Sequence, residues 1–146
     1  MQKPFMIQMP YERGVQLKKI LEAKNTTIVA YLSDLIRSEI KAGVISDGVP
    51  DFEIRSNGDS FLIGFADEPR ERMSRERTKQ LADTIYLAAT ADKKFSETRI
   101  DRHFIVARAA GSVKVTIPAN GITRRYNSDI AEDLARQIDR ALDSTD

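Results

Sequence analysis

Few side chains in this sequence could carry catalytic or metal chemistry. His103 is the single histidine, and the lack of cysteine excludes disulfides and cysteine-bearing zinc or iron–sulfur sites. One histidine supplies too few ligands for a transition-metal site, so we predict no metal and no cofactor. His103 is expected simply to begin a strand.

A group of carboxylates is the other candidate for catalysis. Asp129, Glu132 and Asp133 lie together at the start of the last helical pattern, where negative charge favours the positive end of a helix dipole. That role is sufficient to explain them. The sequence also lacks a glycine-rich phosphate loop, a nucleophile elbow and a metal-binding helix motif. We therefore predict that the protein is not an enzyme.

Arginine is concentrated in two short stretches. RERMSRER, residues 70–77, carries four arginines, but three glutamates lie within or beside it, at positions 68, 71 and 76. The local charge largely cancels, which favours a solvated helix start over a nucleic-acid patch. Arg124 and Arg125 precede Tyr126, and this combination leaves a nucleic-acid backbone contact open. With 23 basic and 22 acidic residues in the chain, any such surface must be local.

The amino-terminal stretch FMIQM alternates as the residues of a β-strand do. Phe5, Ile7 and Met9 fall on one face, and the residues at positions 4, 6 and 8 on the other. A strand needs a hydrogen-bonded neighbour, and the next credible strand begins near Asp51. We expect the partner to be the same strand of a second chain, which makes dimerisation a condition of folding. The alternative is an edge strand that joins the later sheet.

Two helical patterns follow this strand. YERGVQLKKILEAKN predicts the first helix, and NTTIVAYLSDLIRSEIKAG predicts the second. Thr26 or Thr27 is suited to cap the start of the second helix, and Gly43 its end. The apolar stripe of this helix consists of Ile28, Leu32, Leu35, Ile36 and Ile40. A first domain over residues 1–44 and a linker over 45–50 are expected.

The second domain, residues 51–146, contains one pattern written twice, over 51–90 and 103–143. Each copy is expected to form strand, tight turn, strand, polar turn and helix. The tight turns are predicted at Asn57-Gly58 and Ala110-Gly111, where the two glycines match at an offset of 53 residues. The helix positions Leu81 and Leu134 match at the same offset.

These patterns predict an α+β fold. The second domain should be a two-layer arrangement of two ββα repeats, with one four-stranded, mainly antiparallel sheet and two helices. Ser74 is the expected cap of the first helix, and Asn127 or Ser128 that of the second. Residues 91–101 should form an exposed connector.

Residues 3–44 resemble the ribbon-helix-helix superfamily, the Arc and MetJ type of repressor. The resemblance rests on FMIQMP as the ribbon, on Pro10 at its end, on Thr27 seventeen residues later, and on the apolar series behind Thr27. It implies an intertwined homodimer whose two-stranded antiparallel ribbon lies in the DNA major groove. The implied dimer core consists of Phe5, Ile7, Met9, Ile28, Leu32, Leu35 and Ile36.

The resemblance also implies particular DNA contacts. Gln8 suits a bidentate contact with adenine, Met6 a contact with a thymine methyl group, and Lys3 a phosphate or base edge. The start of the second helix would bind a phosphate, because unpaired amides and the positive end of the dipole meet there. The residues implied in this contact are Lys24, Asn25, Thr26, Thr27 and Ile28.

These inferences predict a sequence-specific, repressor-like transcriptional regulator that binds double-stranded DNA as a homodimer in a prokaryotic cytoplasm. No segment approaches the ~20 apolar residues of a membrane span, so no membrane partner is expected. The carboxy-terminal domain is expected to mediate higher assembly or to bind a protein. The alternative is a protein-interaction module, such as an antitoxin or a dimeric adaptor, whose carboxy-terminal domain binds a protein partner.

Overall fold

The chain forms two compact units, residues 1–46 and 47–146. The computed structural model describes residues 4–46, 48–91 and 97–144. Lys3, one of the implied DNA contacts, lies outside these residues.

The amino-terminal unit contains two helices of equal length, α1 (Tyr11–Lys24) and α2 (Ile28–Lys41). α1 ends because Asn25 adopts the left-handed conformation, with φ 51° and ψ 53°. The N–H of Asn25 donates to Glu22 O at 3.2 Å, and that of Thr26 to Leu21 O at 3.0 Å. α2 ends in the same way at Gly43, which has φ 82°. Both ends are Schellman motifs, and Gly43 is confirmed as the predicted helix terminator.

Residues 4–10 form neither helix nor strand in the single chain. The two sheets that the structure describes are built from later residues, so the alternative of an edge strand within them is wrong. The expected partner for FMIQM belongs to a second copy of the chain, and its presence stays a prediction.

The described residues of the second unit form seven strands and two helices. The first antiparallel sheet has the order β1-β2-β3, from β1 (Phe52–Asn57), β2 (Ser60–Phe65) and β3 (Glu71–Ser74). The second antiparallel sheet has the order β4-β5-β6-β7, from β4 (Thr98–Ile100), β5 (Phe104–Ala109), β6 (Ser112–Thr116) and β7 (Thr123–Asn127). A helix follows each sheet along the chain, α3 (Arg75–Thr90) and α4 (Ser128–Asp143).

The α+β class is confirmed, but the prediction of one four-stranded sheet is wrong. Each repeat is βββα, because the segment predicted as a polar turn before each helix is a third strand. In β3 only Met73 is buried, and in β7 only Arg124 and Tyr126 are partly buried. Such short strands, rich in arginine, hide their period-two pattern. The predicted connector over 91–101 likewise contains β4, whose ends are partly buried around the exposed Arg99.

The two repeats correspond at two different offsets. In the hairpins the offset is 52, so that Phe52 corresponds to Phe104 and Phe61 to Val113, and all four side chains are buried. In the third strands and helices it is 53, as for Leu81 and Leu134. The second copy is one residue longer between its second and third strands.

The predicted correspondence between Gly58 and Gly111 in the two repeats is therefore wrong by one residue. Asn57 pairs with Ser60, and Ala109 with Ser112, so the two-residue loops are Gly58-Asp59 and Ala110-Gly111. Gly58, with φ 67°, is the first residue of its loop, while Gly111, with φ 82°, is the second.

The core lies between the helices and the inner faces of the sheets. α3 and α4 pack on each other, and each also contacts strands of both sheets. Ser74 caps α3 by accepting from Arg77 N at 3.1 Å, and Asn127 caps α4 by accepting from Ile130 N at 2.9 Å. The prediction of Ser74 is confirmed, and the structure selects Asn127 over Ser128.

Two buried side-chain atoms of the described residues make no hydrogen bond, His103 Nδ1 and the hydroxyl oxygen of Tyr126. The hydroxyl of Tyr126 is buried with no hydrogen bond to any described residue. Burial raises the pKa of Tyr126 from 10.0 to about 12, with Arg124 acting to lower it and Asp51 to raise it. The folded state therefore holds a proton that the unfolded state releases near pH 10, so stability falls as the pH rises from about 10 to about 12.

Tyr126→Phe should remove both effects. We expect the variant to be more stable than the wild type by about 1 kcal/mol at pH 7, because an unsatisfied buried hydroxyl is lost. We also expect a shallower fall in stability between pH 10 and 12. Denaturant unfolding across this range measures both, with Tyr86→Phe, on the exposed face of α3, as the control at pH 7. A loss of stability at pH 7 in the Tyr126 variant would contradict the assignment.

Candidate functional site

The amino-terminal segment lies in solvent along its whole described length. Phe5 is 92% exposed and Met6 is 87% exposed, although the first was predicted to enter a dimer core and the second to face DNA. Ile7 and Met9 are also exposed, at 64% and 45%. One copy of the chain thus leaves both faces of the segment uncovered within this unit.

The apolar face of α2 is uncovered in the same way. Ile28, Leu35 and Ile36 are 42%, 46% and 54% exposed, and neither α1 nor α2 has a buried residue. Leu32 is only partly buried. Full burial of one such aliphatic side chain contributes about 1.5–3 kcal/mol. Two helices with no core of their own therefore lack the main source of tertiary stability.

The loop between the helices brings together the residues implied in phosphate binding. Thr27 is the N-cap of α2, and its Oγ1 accepts from Ala30 N at 3.2 Å. Lys24, Asn25 and Thr26 line an open depression of about 540 Å³. Tyr31, Asp34 and Leu35 form the remainder of its lining.

The electrostatics of this loop favour an anion, with one opposing charge. The first turn of α2 carries no acidic residue, whereas α1, α3 and α4 each carry one there. The amides of Ile28 and Val29 lie in this first turn, where an α-helix provides no carbonyl partner. Asp34 lines the same depression and opposes an anion bound deep within it.

The arginine-rich run 70–77 is mostly structural. Arg70 binds the carboxylate of Glu53 and the carbonyl oxygens of Phe65 and Glu68. Arg75 donates to Leu142 O at 2.6 Å, and Arg77 donates to Gln80 and Asp101. Residues 71–74 of the run are strand and 75–77 are helix, so the prediction of a solvated helix start holds only from Arg75 onward.

Arg125 belongs to the pair for which a backbone contact was left open, whereas Arg72 belongs to the run interpreted as a solvated helix start. Arg72 in β3 and Arg125 in β7 are exposed on their strands, whereas the guanidinium of Arg124 lies 5.4 Å from the ring centroid of Phe65. Because β3 and β7 were predicted as turns, the direction of these side chains was not foreseen. The signal that could have revealed them is the alternation around Met73 and Tyr126.

The remaining titratable candidates have structural partners. His103 directly precedes β5, and its Nδ1 lies 3.4 Å from Glu71 Oε1, a charge-pair distance whose geometry makes no hydrogen bond. Glu132 and Asp133 contact Arg136 at 3.9 and 3.3 Å. Lys79 contacts Asp83 and Asp139, and its hydrogen bonds to these carboxylates raise its pKa.

The described ranges contain neither a metal-ligand cluster nor a membrane-spanning helix. No three histidine, aspartate or glutamate side chains there come close enough together to hold a metal ion. Of the helices in these ranges, none combines the length and apolar character that crossing a bilayer requires.

No protein-family model, curated protein or solved structure matches this chain. The function proposed below therefore rests on the residues and contacts described above.

Thr27→Ala should destabilise α2, whereas the neighbouring Thr26→Ala should not. We expect the free energy of opening α2 to fall by about 1 kcal/mol, because the first turn loses its side-chain acceptor. Amide hydrogen exchange of α2 in the full chain measures this change. Thr26→Ala is the matched control, since Ala30 N is bonded to Thr27. Equal losses in the two variants would contradict the cap assignment.

Proposed function

We propose that this chain is a homodimeric, ribbon-helix-helix DNA-binding regulator that acts in a prokaryotic cytoplasm. The observation that carries the proposal is the distribution of exposed apolar side chains. Of the fourteen large hydrophobic residues exposed in the described part of the chain, twelve lie in residues 5–45. The second unit buries its own core, so the missing burial belongs to the first unit.

A second copy supplies what the first unit lacks. An extended segment whose alternate residues are Phe5, Ile7 and Met9 gains both backbone hydrogen bonds and apolar cover by pairing with its own copy. The α2 faces of the two copies would then close over the paired strands. This arrangement buries the proposed core residues, namely Phe5, Ile7, Met9, Ile28, Leu32, Leu35 and Ile36.

The opposite face of the paired strands would face the bases. A two-stranded ribbon fits the major groove, where Gln8 offers a bidentate contact with adenine and Met6 an apolar contact with thymine. Lys24, Asn25 and Thr26 adjoin the start of α2, whose amides would hold a phosphate. The phosphate contacts orient the protein, and the ribbon reads the sequence.

A second candidate function is a protein-interaction module, such as an antitoxin or a dimeric adaptor. The observation that favours it is the sparse base-facing side of the ribbon, which offers one amide and one thioether, in a chain of net charge +1. In this alternative the dimer remains, and the second unit binds a protein partner.

DNA binding should depend on Gln8 and Met6 and on salt. We expect the chain to bind duplex DNA. The logarithm of its affinity should fall linearly with the logarithm of salt concentration, with a slope of about −0.9 for each phosphate contacted. The double variant Gln8→Ala with Met6→Ala should weaken binding to the preferred sequence by about 1–3 kcal/mol, because the bidentate contact is lost. Binding to random duplex should change little. Fluorescence anisotropy over a salt series measures both effects.

Gln16→Ala, on the exposed surface of α1, is the control for this experiment. Solution mass shows whether each variant remains a dimer. Unchanged sequence preference in an intact dimer of the Gln8/Met6 variant would exclude direct readout. A dimer that binds no duplex at all would favour the protein-interaction module.

A further inference from the structure

The outward faces of the two sheets carry matching rows of basic side chains. Directly paired residues of antiparallel strands share a face. Arg55 pairs with Leu62, and Leu62 with Arg72, so these three form one row across the first sheet. In the second sheet, Ala107 pairs with Lys114, and Lys114 with Arg125.

The two rows occupy equivalent positions of the repeat. Arg55 corresponds to Ala107 and Leu62 to Lys114 at the hairpin offset of 52, and Arg72 corresponds to Arg125 at the strand offset of 53. Each repeat therefore places two cations in the same row, although only the arginine of the third strand is shared. Arg99, paired with Ile105, adds a fifth cation to the outward face of the second sheet.

Few acidic groups adjoin these charges, although Glu97 lines the same depression as Lys114. Within the seven described strands, Glu53 is the one acidic residue at an outward position, and it is bound by Arg70. The described part of the chain contains no ion pair to the four cations of the rows. Lys114 and Arg125 stand directly opposite each other, and like charges so placed cost stability. A bound polyanion would relieve this cost.

The surrounding side chains favour a phosphate backbone over stacked bases. The outward positions carry no aromatic residue in any described strand, so the faces lack a platform for single-stranded bases. They do carry Ser74 and Asn127 at equivalent ends of the third strands, whereas the hydroxyls of Ser60 and Ser112 already donate to the carbonyl oxygens of Asn57 and Ala109. Hydroxyl and amide groups of this kind donate to phosphate oxygens.

We propose that the outward faces of both sheets bind the phosphate backbone of double-stranded DNA without reading its sequence. The four row cations are the contacts, with Lys114 and Arg125 on neighbouring strands and Arg55 and Arg72 separated by roughly 10 Å, two strand spacings. This surface belongs to the second unit and is independent of the ribbon proposed above. It would add affinity, while the ribbon adds specificity.

The test uses the full chain and a random-sequence duplex. One variant combines Lys114→Gln with Arg125→Gln, and a second combines Arg55→Gln with Arg72→Gln. Each should reduce the slope of log affinity against log salt by about 1.8, that is about 0.9 for each lost contact, and weaken all sequences alike. The matched control is Arg136→Gln with Arg140→Gln, which removes the same charge from α4 and should leave the slope unchanged.

Three outcomes of this experiment would overturn the proposal. These outcomes are a wild-type chain that binds no random duplex, row variants with the wild-type slope, or a control that loses as much as the row variants. Polyglutamate binding that is lost in the same variants would instead assign the faces to an acidic protein. Thermal unfolding checks the fold, since removing the Lys114–Arg125 repulsion should leave the unfolding temperature unchanged or raised.

The same measurements distinguish a failure of the ribbon proposal from a failure of the sheet-face proposal. If the Gln8/Met6 variant alters no sequence preference while the row variants lose salt dependence, the ribbon proposal fails and the sheet-face proposal stands. The reverse result has the opposite meaning.

Discussion

The first unit depends most on the burial of apolar side chains that one copy of the chain leaves exposed. Residues 5–41 contain two helices whose carboxyl ends are both well formed, yet none of their residues is buried. Helix caps and Schellman turns contribute about 1 kcal/mol each, whereas an apolar core contributes many times more. The helices can begin and end correctly for local reasons, but their persistence requires another surface. A second copy is the simplest source of that surface, because its exposed face has the same composition.

The second unit solves the same problem within one chain by repetition. Each βββα copy has a sheet with one apolar face and a helix with one apolar face, and α3 and α4 close the core by packing on each other and on both sheets. The inner positions are kept apolar in both copies, as Ile63 and Val115 illustrate. The outward positions are free of that constraint. That both copies nevertheless keep two cations in one cross-strand row is the basis for proposing a function there.

The features that could be predicted from the sequence are those formed by residues close together along the chain. Thr27, Ser74 and Gly43 act on residues three or four positions away, so their roles as caps and terminators could be inferred from the sequence. The third strands could not, because ERMS and TRRYN are short and mostly polar, and only pairing with β2 and β6 makes them strands. The outward direction of the cations could not be predicted for the same reason, since a side chain has no direction until its strand has a register.

The amino-terminal segment is the extreme case, because the hydrogen-bond partner we propose for it lies in another molecule. Amide hydrogen exchange of residues 5–9 in the full chain, at high and low protein concentration, tests this most directly. The account predicts slow exchange where the solution mass is twice 16.5 kDa, and fast exchange once dilution gives the monomer. Fast exchange of these amides in an intact dimer, or a monomer at every concentration, would contradict it.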